Sequence, residues 1–205
     1  TQPLGMGIKR LQFNGIAAVG EEQQHIARHY HAGIAMGGFG GVIKNMSIGI
    51  ASAEGKILIH SANFAPEPTG IGKYSGEMAE WLAAQGHEVR VVAAPPYYPA
   101  WKLDEGYRWP PWRHEVWRGV NVWRAPLWVP SRPGGLKRVL HLCTFALSSL
   151  PVMLRQTLWR PDVVLTVAPA LVCAPMGWLT ARLSGAQAWL HVQDFEVDVA
   201  LQMGL

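Results

Sequence analysis

The chain has 205 residues, of which 49% are hydrophobic and 16% charged, with a formal net charge of +4. Ten tryptophans and few charges exclude a disordered chain, and the length is ample for a buried core. The two cysteines, Cys143 and Cys173, cannot form a disulfide framework, and no C-x-x-C pair is present to bind zinc. We therefore expect a globular protein of a reducing compartment.

Residues 1–55 differ in composition from the rest of the chain. They hold eleven of the 22 glycines, no tryptophan and a single proline. The GGFGG run at 37–41 is costly to order, because each glycine loses much conformational freedom on folding. We predict a poorly ordered extension outside the domain, which is either a glycine-rich arm or sequence outside the native reading. The domain itself is predicted to span residues 56–205.

From Lys56 onward, predicted strands and helices alternate along the chain. The strands are continuous apolar runs, which are buried on both faces and are typical of a parallel sheet. The predicted class is therefore α/β, with a doubly wound, Rossmann-like parallel sheet. Gly86 and Gly185 are predicted to end two of the helices, and residues 97–119 are assigned to a loop. The predicted strands are 56–62, 88–94, 120–127, 162–167 and 188–192, and the helices are 72–85, 136–157 and 171–183.

One uncharged run, residues 163–181, has the length of a membrane span. It contains Pro169 and Pro175, and its first part is rich in β-branched residues. We interpret it as a buried strand, a turn and the start of a helix.

Residues 101–160 carry most of the positive charge and most of the tryptophans. They hold ten Lys or Arg, three acids and seven of the ten tryptophans. This pattern favours an anionic partner, and a membrane surface fits it better than a nucleic acid duplex. The alternative is a half-buried face that its arginines keep soluble. The predicted membrane-facing residues are Trp128, Arg132, Lys137 and Arg138, followed by a helix whose Leu140, Phe145, Leu150 and Leu154 could enter the headgroup region.

The glycine-rich segment 70–76 has three interpretations. A Walker A loop is excluded, because Lys73 is followed by tyrosine and the glycine spacing is wrong. A dinucleotide fingerprint is disfavoured, since seven residues separate it from the strand and the second strand ends at Ala94-Pro95 without an acid. The third is a helix N-terminus whose backbone N–H groups bind phosphate, with Gly70, Gly72 and Lys73 at the ligand. A tight turn without a ligand is the alternative.

Five segments carry a resemblance to a known family. They are residues 56–59 (KILI), 66–74 (PEPTGIGKY), 86–89 (GHEV), 94–99 (APPYYP) and 190–198 (LHVQDFEVD). Together they resemble the N-terminal, acceptor-side half of family 4 glycosyltransferases with the GT-B fold. More narrowly, the segments are similar to the WcaI-type transferases of colanic acid and related exopolysaccharide assembly. The resemblance covers residues 56–205 and leaves residues 1–55 unexplained.

The resemblance implies a hexosyl or fucosyl transfer from a GDP- or UDP-sugar to a lipid-diphosphate-linked oligosaccharide. It further implies retention of anomeric configuration, no metal and no cofactor besides the donor nucleotide. The protein would act at the inner face of the cytoplasmic membrane, peripherally attached. Because the donor-side half has no counterpart in residues 56–205, we expect the 205-residue chain to be a fragment that is inactive alone.

The resemblance also assigns roles to individual residues. The glycine loop would face the donor phosphates, with Gly70 as the better match, and His191 would stand near the transferred sugar as the catalytic candidate. The alternative is a structural histidine whose ring is hydrogen-bonded at the end of a strand and has no catalytic role. The acceptor would contact a set of polar side chains near the same edge, namely Glu67, Tyr74, Asp194, Glu196 and Asp198; the last three could equally be acids at a helix N-terminus.

Two further functions stay open from the sequence. One is a standalone module that binds membrane or glycan without catalysis. The other is a nucleotide-cofactor oxidoreductase, which the missing acid after the second strand disfavours.

Overall fold

The computed structural model describes residues 34–36, 54–168 and 170–192. Its strands are β1 (Ile34–Met36), β2 (Lys56–Ser61), β3 (Glu88–Ala93), β4 (Arg113–Trp117), β5 (Val120–Arg124), β6 (Val163–Ala168) and β7 (Gln187–Val192). Its helices are α1 (Gly70–Ala84), α2 (Gly135–Gln156) and α3 (Ala174–Ser184). Short 3₁₀ turns cover Glu105–Tyr107, Thr157–Trp159 and Leu171–Cys173.

The strands form one sheet in the order β1-β7-β6-β2-β3-β5-β4. Every pairing is parallel except that of β4 with β5. The chain runs outward from β2 through β3 to β5, and then crosses back to β6 on the other side of β2. The order therefore reverses between β2 and β6, which is the switch point where doubly wound sheets bind their ligands.

Both faces of the sheet are covered by apolar packing. On one face, Ile57 and Ile59 of β2 pack with Met78 and Leu82 of α1. On the other, Leu58 packs with side chains of α2 and α3. Helix α3 lies very close to β6, since a Cβ added at Gly177 would overlap the Thr166 side chain. The strands are buried on both sides, as their apolar sequences predict.

The five predicted strands and three predicted helices are all present, within three residues at their ends. Gly86 and Gly185 have positive φ angles of 94° and 76° and follow the last residues of α1 and α3 closely, which confirms both predicted helix ends. The α/β doubly wound class is therefore confirmed. No helix within the described ranges is long and apolar enough to cross a bilayer.

Strand β4 was not predicted, because residues 97–119 are assigned to a loop from the sequence. The structure pairs β4 antiparallel with β5 at the edge of the sheet. Half-buried and exposed residues alternate along β4, and three of its five residues are the polar Arg, His and Glu. An edge strand with one solvated face lacks the continuous apolar run that identified the other strands.

The predicted domain boundary near Lys56 coincides with the start of β2, close to the beginning of the described range 54–168. Strand β1 lies inside the predicted extension and pairs in parallel with β7 over three residues, Ile34 to Met36 against Leu190 to Val192. The rest of residues 1–53 lies outside the described residues. The assignment of that segment to an extension stays a prediction.

Candidate functional site

The loops that follow β2, β3 and β6 meet at the carboxyl edge of the sheet. In open α/β sheets ligands bind outside the carboxyl ends of the strands, in the crevice where the strand order reverses. The β2 loop leads through residues 62–69 into α1, and the β3 loop runs from 94 toward the 3₁₀ turn at Glu105–Tyr107. The candidate site is built from these two loops.

Helix α1 begins at this edge with a glycine turn. Gly70 has φ +64°, a left-handed conformation that favours glycine over other residues. The preceding Thr69 makes no side-chain capping bond, and the first turn has no acidic residue. The helix therefore has no side-chain cap and no acid of its own first turn, although the buried Glu67 carboxylate packs against Gly72. An anion could still approach the N–H groups at the start of the helix.

Two of the predicted site residues are exposed on the first turns of α1. Lys73 lies with its Nζ 3.9 Å from a Glu77 oxygen, a contact between half-exposed side chains. The same ammonium lies 6.0 Å from the Tyr74 ring centroid. Both Lys73 and Tyr74 are thus accessible to a ligand, and Lys73 is held only by a weak surface pair.

Gly72 is buried and faces the protein. A Cβ at this position would overlap Glu67 Oε2 and lie 2.6 Å from Glu67 Cβ. The glycine therefore permits the close packing of α1 against the Glu67 carboxylate. Its predicted role in phosphate binding remains a prediction, but this packing is sufficient reason for the missing side chain.

Glu67 is a buried carboxylate with several donors around it. Its Oε1 accepts the backbone N–H groups of Tyr97 at 3.2 Å and Tyr98 at 3.1 Å, and its Oε2 accepts Asn63 Nδ2 at 3.0 Å. Burial raises the pKa of the Glu67 carboxyl, while these hydrogen bonds and the Arg124 charge act to lower it. Glu67 joins the β2 loop to the β3 loop, and its 4% exposure leaves little of it for a substrate.

Arg124 at the end of β5 is a second buried charge beside these loops. Its guanidinium donates to the Ala94 carbonyl at 2.9 Å, to the Ala65 carbonyl, and to Glu115 Oε1 at 2.8 Å. The side chain is fully buried. One residue therefore ties the β2 loop, the β3 loop and strand β4 together, with each donor placed on an acceptor.

A cleft of about 360 Å³ opens between the two loops. Pro66, Pro68 and the buried Glu67 form one wall, and residues 96–98 form the other. Lys102, Asp104 and Glu105 are exposed and line its rim. The loop that carries them is closed by backbone hydrogen bonds, from Lys102 N to the Tyr97 carbonyl and from Asp104 N to the Pro96 carbonyl. The cleft has the size of a small-molecule site and mixes apolar and polar lining.

Two buried histidines lie behind this edge. His60 of β2 is hydrogen-bonded to Ser149 Oγ of α2 at 3.0 Å, and burial lowers its pKa to about 3. His141 of α2 uses Nδ1 on the Trp128 carbonyl, and its ring lies 4.7 Å from that of Tyr97. Burial lowers the pKa of His141 as well. Both rings belong to the core that supports the β3 loop, and burial favours their neutral form.

His191, the predicted catalytic residue, is the fifth residue of β7. It is 3% exposed and belongs to a strand separated from β2 by β6. Two inter-strand spacings place β7 roughly 10 Å from β2. The structure therefore brings His191 to the same edge as the glycine turn but buries its ring. Asp194, Glu196 and Asp198 lie outside the described residues.

The predicted membrane-facing residues are exposed around the start of α2. Trp128, Arg132, Lys137 and Arg138 are all on the surface. Arg138 lies over the Trp101 ring, 5.5 Å from its centroid. We call the solvent-facing side of the helix the outer face of α2; its exposed apolar residues are Leu136, Val139, Leu140, Leu147 and Leu154.

The prediction that Phe145 enters the headgroup region is wrong. Phe145 is fully buried, with its ring 5.3 Å from His60. Five residues separate it from Leu140, which turns it about 140° around the helix axis. The two side chains therefore point to opposite sides of α2, and only Leu140 belongs to the outer face.

Sequence reasoning overlooked the rim of the cleft and the Arg124 cluster. Tyr98, Lys102, Asp104 and Glu105 fall in a segment that has no periodicity and was assigned to a loop. Arg124 did carry a signal, because a lone arginine at the end of a buried strand needs acceptors inside the protein. Groups of three or more potential metal ligands are absent from the parts of the chain that the structure describes.

Comparison with known proteins was informative in sequence and in structure. Residues 69–205 match the family described as "Glycosyl transferase 4-like domain". The chain is 55% identical over 151 residues to the Escherichia coli (strain K12) protein named "Putative colanic acid biosynthesis glycosyl transferase WcaI", covering 73% of this chain and 37% of that protein. The chain thus spans little more than a third of its relative's length.

Among solved structures, the catalytic domain of starch synthase IV from Arabidopsis thaliana, bound to ADP and acarbose, is similar. The TM-score is 0.51 at 17% identity, over 70% of this chain and 34% of that one. At this identity the likeness establishes the fold alone, which is that of one half of a GT-B glycosyltransferase.

Proposed function

Because the chain belongs to the glycosyl transferase 4-like domain family, we propose that it forms the acceptor-side half of a glycosyltransferase. In this proposal the enzyme moves a hexosyl or fucosyl group from a GDP- or UDP-sugar to a lipid-diphosphate-linked oligosaccharide. The product belongs to an exopolysaccharide similar to colanic acid, as the name of the 55% identical relative suggests. The transfer retains anomeric configuration and uses neither metal nor cofactor.

The observation that carries the proposal is the position of the Gly70 turn. It opens α1 at the carboxyl end of β2, the strand beside the switch point, and it is uncapped. A donor diphosphate has strong acceptor oxygens and negative charge, which suit free N–H groups at a helix N-terminus. Lys73, exposed on the first turn, would add its charge to the same phosphates.

The remaining site residues would contact the transferred sugar or the acceptor. His191 would stabilise positive charge on the transferred sugar or bond its hydroxyls, and its place at the carboxyl end of β7 is compatible with that role. Tyr74 is exposed on α1 and would contact the acceptor, as would Asp194, Glu196 and Asp198.

The transfer is tested on the full-length gene product, because the relative is much longer than this chain. We expect release of GDP or UDP that depends on a lipid-linked acceptor, and a product with the donor's anomeric configuration. Gly70→Ala should lower turnover strongly, since it places a side chain at φ +64° beside the phosphates. Gly106→Ala is the control, since nothing lies within 4 Å of a Cβ there. Absence of any turnover with either nucleotide class would contradict the proposal.

We also propose that the outer face of α2 attaches the protein to the cytoplasmic face of the membrane. Several leucines there are exposed to water, among them Leu147 at 71%, and Lys137 and Arg138 are exposed in the first turn of the same helix. Apolar side chains beside basic ones suit an interface that carries anionic lipids. A lipid-linked acceptor would be reached from that position.

Attachment is tested by sedimentation with vesicles of phosphatidylglycerol and phosphatidylcholine. We expect binding at low salt that weakens in high salt and is lost in the Lys137→Glu, Arg138→Glu double variant. Arg118→Glu is the control, because Arg118 is exposed and pairs with Glu80 of α1 on the other face of the sheet. Equal binding of all variants would overturn this assignment. Binding without any transferase activity would favour the alternative of a non-catalytic membrane-binding module.

A further inference from the structure

The cleft between the β2 and β3 loops has one aromatic side chain that a ligand can reach. Tyr98 is 39% exposed and lines the cleft. On its other side, the edge of its ring lies 3.5 Å from where a Cβ on Gly70 would be. The ring therefore stands between the glycine turn and the cleft.

The backbone that carries Tyr98 is held from below by Glu67. The carboxylate accepts the N–H groups of both Tyr97 and Tyr98, within 3.2 Å. Its other oxygen accepts Asn63 and packs on Gly72. Both carboxylate oxygens accept hydrogen bonds from the protein and the residue is 4% exposed, so the contacts of Glu67 order the loop.

The rim of the cleft indicates the class of ligand. Lys102 offers donors, and Asp104 and Glu105 offer acceptors, all three exposed to solvent. Two carboxylates against one ammonium disfavour a phosphate, whereas donors and acceptors together suit hydroxyl groups. The face of a tyrosine ring attracts C–H groups, which a pyranose presents on its flatter side.

We propose that Glu67 is a positioning residue whose buried carboxylate fixes the Tyr98 ring as the platform for a neutral sugar ring of the acceptor. Tyr98 contacts the sugar, and Glu67 acts only through Tyr98. The cleft volume of about 360 Å³ accommodates a small saccharide. This inference rests on the proposed transferase function, whose acceptor is an oligosaccharide.

The kinetic test uses the full-length protein with the variants Tyr98→Ala, Glu67→Gln and both together. We expect Tyr98→Ala to raise the KM for the acceptor about tenfold, with kcat and the donor KM close to wild type. Glu67→Gln should raise the acceptor KM by a smaller factor, and the double variant should equal Tyr98→Ala alone. Trp178→Ala is the control, because Trp178 on α3 is equally exposed at 38% and lies away from the cleft.

Effects that multiply in the double variant would overturn the positioning role, and an unchanged acceptor KM in Tyr98→Ala would overturn the platform. A variant that lowers kcat without changing the acceptor KM would indicate a general loss of structure instead, which also contradicts the inference. A wild-type protein without any turnover would count against the proposed function.

A binding measurement separates the inference from that function. Saturation-transfer NMR of the 205-residue chain with neutral methyl pyranosides should show transfer to the sugar C–H protons. The signal should disappear in Tyr98→Ala and persist in Trp178→Ala, with both variants melting as cooperatively as the wild type. A signal that persists in Tyr98→Ala would overturn the inference even if the full-length protein is an active transferase.

Discussion

The loops at the carboxyl edge and the outer face of α2 differ in where their side chains find contacts. At the edge, Glu67 and Arg124 are buried charges, and each is surrounded by hydrogen-bond partners of the protein. On the outer face of α2, leucines such as Leu147 are exposed to water. The first region therefore depends on internal contacts for its stability, whereas the second is available for external ones. Substitutions in the two regions should differ accordingly.

The largest loss of stability is expected when the buried Arg124 side chain is removed, because several groups depend on it for hydrogen bonds. Arg124→Ala leaves the Ala65 and Ala94 carbonyls without this donor and leaves the Glu115 carboxylate with only Tyr107 and Arg113. We expect the free energy of unfolding in urea to fall by about 3–5 kcal/mol. Arg118→Ala is the matched control, since its pair with Glu80 is exposed and is worth about 0–1 kcal/mol. Equal losses in the two variants would show that the Arg124 network contributes little.

A second effect concerns the inner side of α2, where His60 meets Ser149. The pKa of His60 is lowered from 6.5 to about 3, so the folded state stays neutral while the unfolded state binds a proton below pH 6.5. Stability should therefore fall as the pH drops from 6.5 toward 3, by about 3 kcal/mol at pH 4. Urea unfolding of His60→Gln at several pH values should give a flatter profile. An unchanged slope in His60→Gln would contradict this assignment.

A third, smaller effect tests the packing of Gly72 on Glu67. Gly72→Ala should lower the free energy of unfolding by about 1–3 kcal/mol, because its methyl group overlaps the carboxylate. Glu67→Ala is also destabilising, since the N–H groups of Tyr97 and Tyr98 lose their acceptor.

The double variant Gly72→Ala, Glu67→Ala tests whether the two positions interact. Glu67→Ala removes the carboxylate overlap but keeps its own Cβ, 2.6 Å from the new methyl group, so only part of the clash is relieved. The double loss should therefore be somewhat smaller than the sum of the single losses. Simple additivity would mean that the two positions do not interact as the structure shows. Gly106→Ala, with open space around its Cβ, should be nearly neutral.

The smallest effect is expected on the outer face of α2. Leu147→Gln replaces a side chain that is already largely exposed, so the free energy of unfolding should change by less than about 0.5 kcal/mol. The same variant should weaken vesicle binding, because it removes apolar area from the proposed membrane contact. A large loss of stability here would show that Leu147 is covered within the protein and would remove the contrast between the two regions.

The sequence predicted the sheet well because its strands are governed by burial alone. The run from Val163 to Ala168 is buried at every position, and its β-branched residues together with the prolines that follow identify it as a strand of a parallel sheet. Strand β4 escaped prediction, since its identity depends on pairing with β5 and only one of its faces is packed. Phe145 was placed on the wrong face of α2 because apolarity was considered without the helical phase.

The candidate site could be predicted only in part. The Gly70 turn stands out in the sequence, because a helix start rich in glycine follows a buried strand. The engagement of Glu67 by Tyr97 and Tyr98 could not be foreseen, as thirty residues separate the partners and no pattern connects them. Hydrogen bonds between two loops are set by the fold that brings the loops together.

The contact between Gly177 of α3 and Thr166 of β6 restricts which codon changes the gene can tolerate. Every missense change of a single nucleotide in a glycine codon adds at least a methyl group, and no room exists for one at this position. Either the Thr166 hydroxyl must rotate within a buried site or the helix must move away from the strand that borders the switch point. Variation among natural alleles should therefore be strongly depleted at this codon, although the residue has no side chain and touches no substrate.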